Sequence, residues 1–152
     1  MKKNYPLNLD FDAIRNQAEL VTRIEFRTIH QGIGMVISFA QMESPIFRTG
    51  QPYRTKESRI IRILKGTARI SINLVEYELR EQMIAITPPH SLIELIELSE
   101  DYDFQIIIFE DSFLPITQNN GLADLFSQHG IHFLLTDEEW KYTEDFFSLL
   151  WK

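Results

Sequence analysis

One segment of this sequence is strongly basic, although the chain as a whole is acidic. The chain has 152 residues and a formal net charge of −7. Seven cationic side chains nevertheless fall between residues 48 and 69, namely Arg48, Arg54, Lys56, Arg59, Arg62, Lys65 and Arg69. Arginine that points into a cavity binds anionic or hydroxyl-rich ligands through forked hydrogen bonds. We expect Arg62 to line such a pocket, with hydrogen bonds added by Tyr53, Tyr77 and His90.

The alternative for most of these cations is a solvated position, paired with Glu57, Glu76 or Glu78. A nucleic-acid surface is disfavoured, because the arginines alternate with isoleucine and lack aromatic neighbours on which bases stack. In addition, a chain with a pI near 5.1 repels a polyanion. The chain itself is therefore not expected to bind DNA.

Metal and nucleophile chemistry have little support in the sequence. A cupin-type metal site needs two or three imidazoles and a carboxylate on neighbouring strands. The four histidines form no His-x-His or His-Glu-x-x-His pattern; they are His30, His90, His129 and His132. No Gly-x-Ser-x-Gly, P-loop or dinucleotide fingerprint occurs either. The sequence predicts no metal, no cofactor and no catalytic residue.

Composition limits the class of protein further. The chain contains no cysteine, which excludes disulfides, thiolate zinc sites and a cysteine nucleophile. No apolar stretch approaches the roughly 18 residues of a membrane span, and no apolar core follows the N-terminal lysines as in a secretory signal. Hydrophobic residues make up 44% of the chain, enough at this length for one domain with its own core. We expect a cytoplasmic protein without membrane contact.

Hydrophobic alternation predicts a mainly β fold up to residue 112. Residues 66–74 place apolar side chains at every second position, which is the period of a half-buried strand. Gly66 lies between two such runs and predicts a tight reversal. The predicted strands are Leu20–Ile29, Ile33–Ala40, residues 60–64, residues 66–74, Tyr77–Leu79, Met83–Thr87, Leu92–Leu98 and Phe104–Glu110. Short antiparallel strands at this spacing favour a closed barrel or jelly roll, because closure removes exposed edges.

The spacing becomes helical after residue 112. It predicts a short helix over residues 119–128, an extended segment over Ile131–Leu135 and then a long amphipathic helix. Thr136-Asp137-Glu138-Glu139 has the form of a capping box at the start of that helix. We predict that its apolar face serves self-association or docking; this face includes Trp140, Phe147, Leu150 and Trp151. Packing of the same face against the protein's own strands is the alternative.

Four short motifs occur along the chain in an order that is informative as a whole. They are the hairpin Arg62-Ile63-Leu64-Lys65-Gly66, the step from Tyr77-Glu78-Leu79 to Met83–Thr87 and Pro88-Pro89, the strand over 104–109 with Phe113-Leu114, and Phe133–Thr136 before the last helix. This order, over residues 20–152, resembles the N-terminal cupin-like regulatory domain of AraC-family transcription regulators. The resemblance is greatest to the AraC-like regulators of Bacteroides-type bacteria.

The resemblance implies a cupin-like antiparallel β-barrel, or jelly roll, with an N-terminal arm over residues 1–112, and a helical dimerisation segment over 113–152. It implies a homodimer that binds a small-molecule effector, such as a carbohydrate, and that is not an enzyme. In the arabinose-responsive member of the family, an arginine just before the hairpin glycine contacts the sugar; Lys65 holds that position here. DNA binding would belong to a helix-turn-helix domain beyond Lys152, so we expect this chain to be the front part of a longer protein.

The sequence also departs from the pattern of cupin enzymes. Glu81-Gln82 stands where cupins usually have Gly-Asp, and no histidines stand at the usual metal positions. Both departures argue against cupin enzyme activity and are compatible with an effector-binding domain. A stand-alone cupin isomerase or dioxygenase is the first alternative, and an interaction module with a filled barrel is the second.

Overall fold

Two β-sheets packed face to face dominate the structure. The computed structural model describes residues 6–8, 25–30, 33–37, 49–110 and 131–151. In chain order the elements are β1 (Leu7–Asn8), β2 (Glu25–His30), β3 (Ile33–Ile37), β4 (Pro52–Arg54), β5 (Ser58–Lys65), β6 (Thr67–Ile72), β7 (Val75–Arg80), β8 (Met83–Thr87), β9 (Leu92–Leu98), β10 (Asp103–Phe109), β11 (Ile131–Leu134) and helix α1 (Asp137–Trp151).

The order of the strands is that of a jelly roll. One sheet has five strands in the order β1-β4-β9-β6-β7, and the other has six in the order β11-β8-β5-β10-β3-β2. Neighbouring strands run antiparallel within these sheets, apart from the parallel pair β1 and β4. Between β7 and β10 each strand lies in the opposite sheet from the one before it. The predicted fold class, a mainly β cupin-like jelly roll followed by C-terminal α-helices, is confirmed, and the described residues include one of these helices, α1.

The core between the sheets follows from alternation along each strand. On β10, Phe104, Ile106 and Ile108 point inward, and Ile63 does so on the neighbouring strand β5. The buried core residues are Tyr53, Ile63, Ile70, Ile72, Leu79, Met83, Ala85, Leu95, Tyr102, Phe104, Ile106 and Ile108. Full burial of one such aliphatic or aromatic side chain contributes about 1.5–3 kcal/mol to the free energy of folding. This face therefore supplies the larger part of the stability.

A second apolar layer covers the outer face of the six-stranded sheet. Helix α1 packs there through Phe147, which lies against Met35 and Ile107. Leu150 and Trp151 are partly buried in the same cluster. Within the described residues, another sheet therefore covers the inner face of this sheet and helix α1 packs on its outer face.

Tight turns connect the strands at positions that require a left-handed backbone. Gly66 joins β5 to β6 with φ of 79°, and a Cβ atom built there would lie 2.8 Å from the Tyr102 Cα atom. The reversal predicted at Gly66 is confirmed, and a side chain there has no space. Asn73 and Leu74 join β6 to β7 with φ of 51° and 71°, the conformation of a two-residue type I′ hairpin.

Helix α1 begins at the predicted capping box. The Glu139 amide donates a hydrogen bond to the Thr136 hydroxyl at 3.2 Å, and this hydroxyl donates in turn to the Glu139 carboxylate at 2.9 Å. Gln82, in the β7–β8 turn, donates to the Leu135 carbonyl at 2.8 Å and to the Asp137 carboxylate at 2.9 Å. Gln82, the second residue of the pair that replaces the usual Gly-Asp of cupins, therefore helps to fix the start of the helix.

The predicted boundaries agree with the structure to different extents. Strands Met83–Thr87 and Leu92–Leu98 have the predicted limits, and the predicted strand Phe104–Glu110 is shifted by one residue. Strand β4 was not predicted, because Pro52 at its first position resembles a loop residue. The predicted helix over residues 119–128 and the predicted boundary after residue 112 lie outside the described residues.

Candidate functional site

The five residues predicted to bind a ligand lie in different parts of the fold. Tyr53 on β4 is buried in the core, whereas Lys65 at the end of β5 is exposed. His90 is exposed in the turn between β8 and β9. Tyr77 is half-buried on β7, and Arg62 lies beneath helix α1. The structure does not bring these five side chains together at one site.

A cleft opens where the two sheets part, between β7 at the end of one sheet and β11 at the end of the other. We call it the edge cleft. Its volume is about 550 Å³, within the range of roughly 300–1,000 Å³ that is usual for small-molecule sites. Its lining residues are Thr67, Ala68, Arg69, Glu78, Leu79, Arg80, Met83, Glu97, Ser99 and Leu134.

The edge cleft has an apolar floor and a charged rim. Leu79 and Met83 reach it from the core, and Leu134 adds an apolar side chain that is 55% exposed. At the rim, Arg69 and Glu97 form an exposed ion pair with an N–O distance of 3.5 Å. Such pairs contribute only about 0–1 kcal/mol and open easily. A ligand with an apolar body and a polar or anionic end matches this distribution of groups.

Arg80 is the rim cation best placed to meet an anionic ligand. It is exposed at the end of β7, and no ion pair to it occurs within the described residues. Its backbone N–H donates to the Met83 sulfur at 3.3 Å, which holds the β7–β8 turn beside the floor of the cleft. Sequence reasoning missed Arg80, since the predicted strand ended one residue earlier, at Leu79.

An aromatic pair joins the two sheets beside the edge cleft. The rings of Tyr77 on β7 and His132 on β11 lie 5.1 Å apart between centroids, with an interplanar angle of 69°. This is the edge-to-face arrangement that aromatic rings prefer. Tyr77, a predicted ligand residue, thus packs across the gap between the sheets and stands two positions before Leu79 of the cleft floor.

The charged residue Arg59 is buried between the two sheets, away from the edge cleft. Arg59 is 1% exposed and shares the inward face of β5 with Ile61 and Ile63. Its guanidinium donates to the Glu57 carbonyl oxygen at 3.3 Å, and its register partner Thr87 on β8 is fully buried. Burial of a charge is costly without polar partners, so this group belongs to the scaffold. The period-two spacing of Arg59 with the isoleucines is the signal that sequence reasoning missed.

Arg62 lies on the opposite face of the same strand, between the sheet and helix α1. Its guanidinium donates to the Gln105 side-chain oxygen at 2.9 Å and to the Thr143 hydroxyl at 3.0 Å. It also stacks over the Trp140 ring at 4.0 Å. Burial lowers the pKa of Arg62 from its ordinary value, while the Glu144 carboxylate opposes that shift. Arg62 therefore ties the helix to the sheet.

The four residues predicted to form a self-association or docking face lie on the sheet side of α1. Phe147 is 3% exposed, and Leu150 and Trp151 are partly buried against the same cluster. Trp140 is half-buried over Arg62. The apolar residues that α1 exposes are different ones: Tyr142, Phe146 and Leu149.

The described residues show neither a metal-binding cluster nor a membrane-spanning helix. No three histidine, aspartate or glutamate side chains converge there in a way that could hold a metal ion. In the same part of the chain, no helix has the length and hydrophobicity needed to cross a membrane.

Solved structures share this fold, whereas no protein-family model and no curated protein matches the sequence. An apo ToxT variant from Vibrio cholerae is 12% identical with a TM-score of 0.52, over 81% of this chain and 49% of ToxT. ToxT with a bound unsaturated fatty acid is 10% identical with a TM-score of 0.46, over 84% and 47% of the two chains. A cupin protein from Bacteroides fragilis is 16% identical with a TM-score of 0.44, over 58% and 76%. The chain spans about half the length of ToxT.

Proposed function

We propose that this chain is the effector-binding domain of an AraC-type transcription regulator of the Bacteroides type, and that the edge cleft holds the effector. The observation that carries the proposal is the cleft itself, an opening of about 550 Å³ with an apolar floor and a charged rim. The fold shared with ToxT, an AraC-family protein, supports the same assignment. The resemblance of the motifs along the sequence supports it independently.

The lining of the edge cleft favours an amphipathic effector over a fully polar one. Leu79, Met83 and Leu134 offer apolar surface to the body of a ligand, and its burial would supply most of the affinity. Arg80 and Arg69 at the rim would bind a carboxylate or phosphate end through paired hydrogen bonds. A carbohydrate, the class suggested by the family resemblance, would use the rim more than the floor.

The proposed mechanism is linkage between effector binding and the arrangement of the helix. A ligand that binds one arrangement better than another shifts the population toward it by the difference in affinity. Arg62 links α1 to β5, and β5 leads directly into the hairpin of β6 and β7 that lines the edge cleft. A ligand in the cleft can therefore bias the docking of α1. In this proposal the protein acts in the cytoplasm as a non-enzymatic homodimer without a cofactor, and a separate helix-turn-helix domain binds DNA.

A thermal-shift screen tests the proposal. The panel contains a long-chain unsaturated fatty acid, shorter carboxylates, sugar acids and neutral monosaccharides. A ligand at about 100 times its dissociation constant adds about 2.7 kcal/mol to the free energy of unfolding, which raises the melting temperature measurably. We expect a hit among the amphipathic carboxylates, weakened by Arg80→Gln. The matched control is Arg54→Gln, which removes another exposed strand arginine, on β4.

Other results would support a different function. Bound stoichiometric iron, manganese or zinc in the purified protein, together with no stabilising ligand, would favour a cupin enzyme. A stable dimer in light scattering with no hit in the panel would favour an interaction module. A hit that Arg80→Gln and Arg54→Gln leave equally strong would place the ligand outside the edge cleft.

A further inference from the structure

A second opening lies on the other side of the six-stranded sheet, between its outer face and helix α1. We call it the outer groove, and its volume is about 490 Å³. The sheet contributes Ile60 from β5, Ile84 and Ile86 from β8, and Phe133 from β11. The full set of lining residues is Ile60, Ile84, Ile86, Phe133, Leu135, Glu139, Tyr142, Thr143, Phe146 and Phe147.

The side chains around the outer groove leave a large apolar surface open to solvent. Phe133 is 44% exposed, Phe146 52% and Tyr142 63%. Leu149, next along the same side of α1, is 66% exposed. Contiguous apolar exposure of this kind marks an interaction site more often than it occurs by chance on a soluble domain. A groove beside a helix has the shape that accepts another helix.

The charges that border the outer groove are acidic. Successive helix residues are about 100° apart, so Glu138 and Asp145 follow the exposed apolar strip on its solvent side. Glu139 lines the groove itself. Lys141, the one basic residue of α1, lies one turn from Glu138 and from Asp145, on the side of the helix that faces away from the groove. None of the described residues that line the groove is basic.

We propose that the outer groove binds an amphipathic helix that carries lysine or arginine beside its apolar face. The apolar side chains would fill the space between Ile84, Phe133 and Phe146, and the cations would lie next to Glu138, Glu139 and Asp145. A second copy of this chain fits poorly, because two α1 helices would bring the same acidic residues together at a cost in free energy. The inference does not depend on the effector, and a homodimer that used another surface would be compatible with it.

The test uses two labelled synthetic peptides of about five helical turns. Both carry the same leucine face, and their flanks carry either lysine or glutamate. Fluorescence anisotropy with the intact chain should show binding of the lysine peptide at least about tenfold tighter than that of the glutamate peptide. This difference should shrink in high salt, because salt screens exposed charges.

Substitutions locate the binding and test its charge dependence. Phe146→Ser should weaken binding of the lysine peptide about tenfold, whereas Leu74→Ser, at a site 83% exposed on the β6–β7 turn, should leave it unchanged. The double variant Glu138→Lys, Asp145→Lys should reverse the preference between the peptides.

Equal affinity for both peptides, or binding that Leu74→Ser weakens as much as Phe146→Ser, would overturn the proposal. So would a dimer of the unmodified chain that Phe146→Ser dissociates, since a second copy would then occupy the groove. Circular dichroism checks that each variant is folded. Loss of effector binding in the earlier screen would leave these peptide results unaffected.

Discussion

The inner and outer faces of the six-stranded sheet are built from the same strands but covered in different ways. On β5, Arg59 lies on the inner face and Arg62 on the outer face, three residues apart and both nearly inaccessible to solvent. The inner face is closed by a five-stranded sheet. Among the described residues, α1 covers part of the outer face and leaves Phe146 and Phe133 half-exposed beside it.

This difference indicates that the two faces of the sheet have different structural roles. Strand alternation alone fixes the inner face, because each inward side chain meets another strand at a set register. The outer face depends on how one helix docks, through Phe147 and the contacts of Arg62. We therefore expect the inner face to behave as a rigid scaffold and the outer face as the part that responds to partners.

The largest effect is expected from Phe147→Ala on the outer face. Removal of a ring that is 3% exposed should lower the free energy of unfolding by about 3–5 kcal/mol. Both tryptophans of the chain lie in α1, so their fluorescence reports on the helix. Chemical denaturation should show the fluorescence transition of the variant well before that of the unmodified chain. Phe146→Ala, at the neighbouring 52% exposed position, is the matched control and should cost less than about 1 kcal/mol.

Truncation of a buried side chain on the inner face should have a different effect from truncation of Phe147 on the outer face. Ile108→Ala, at a site with no exposure, is expected to cost about 3 kcal/mol because it leaves a cavity. Because small single domains usually unfold in one cooperative step, we expect tryptophan fluorescence and far-ultraviolet circular dichroism to shift together. If Ile108→Ala moved only the tryptophan signal, the distinction between a rigid inner face and a responsive outer face would be wrong.

Arg62→Met tests the contact between the six-stranded sheet and helix α1. It removes two hydrogen bonds and the stacking on Trp140, and it leaves the Gln105 oxygen without that donor. We expect a loss of about 2 kcal/mol, measured by chemical denaturation and accompanied by a change in tryptophan emission. Arg62→Lys should recover little of the lost stability, because a lysine cannot reproduce the forked pair of hydrogen bonds to Gln105 and Thr143. The control Arg54→Met, at an exposed site, should leave both signals in place.

The smallest effect is expected at the first turn of α1. Thr136→Ala removes the hydroxyl that accepts the Glu139 amide hydrogen and should cost about 1 kcal/mol. Thermal unfolding followed at the tryptophans measures this loss. Thr136→Ser keeps the hydroxyl and should restore most of it. Equal destabilisation by both substitutions would show that the cap contributes nothing to the docking of the helix.

The sequence predicted the parts of the fold that local rules determine. Strands β8 and β9, the reversal at Gly66 and the capping box at Thr136 were all predicted, because alternation, left-handed backbone and helix capping act within a few residues. The order of motifs along the chain predicted the jelly roll. These features require no knowledge of which elements meet in space.

The candidate site was less predictable, since it depends on long-range packing. The edge cleft combines Leu79 and Arg80 with Leu134, which is far away in sequence. Arg62 was predicted to line a pocket, but strand alternation does not show which face of a sheet a distant helix will cover. The Tyr77–His132 contact also depends on long-range packing, because it joins the end strands of two different sheets.

Methyl NMR of methionine-labelled protein tests whether the effector binds in the edge cleft. The chain has four methionines; Met83 lines the cleft and Met35 lies under α1 on the outer face. Their signals are assigned with Met83→Leu and Met35→Leu. Titration with the best amphipathic carboxylate of the thermal-shift panel should move the Met83 methyl signal strongly and the Met35 signal much less. A saturating titration that moves Met35 while Met83 stays in place would contradict the proposed site.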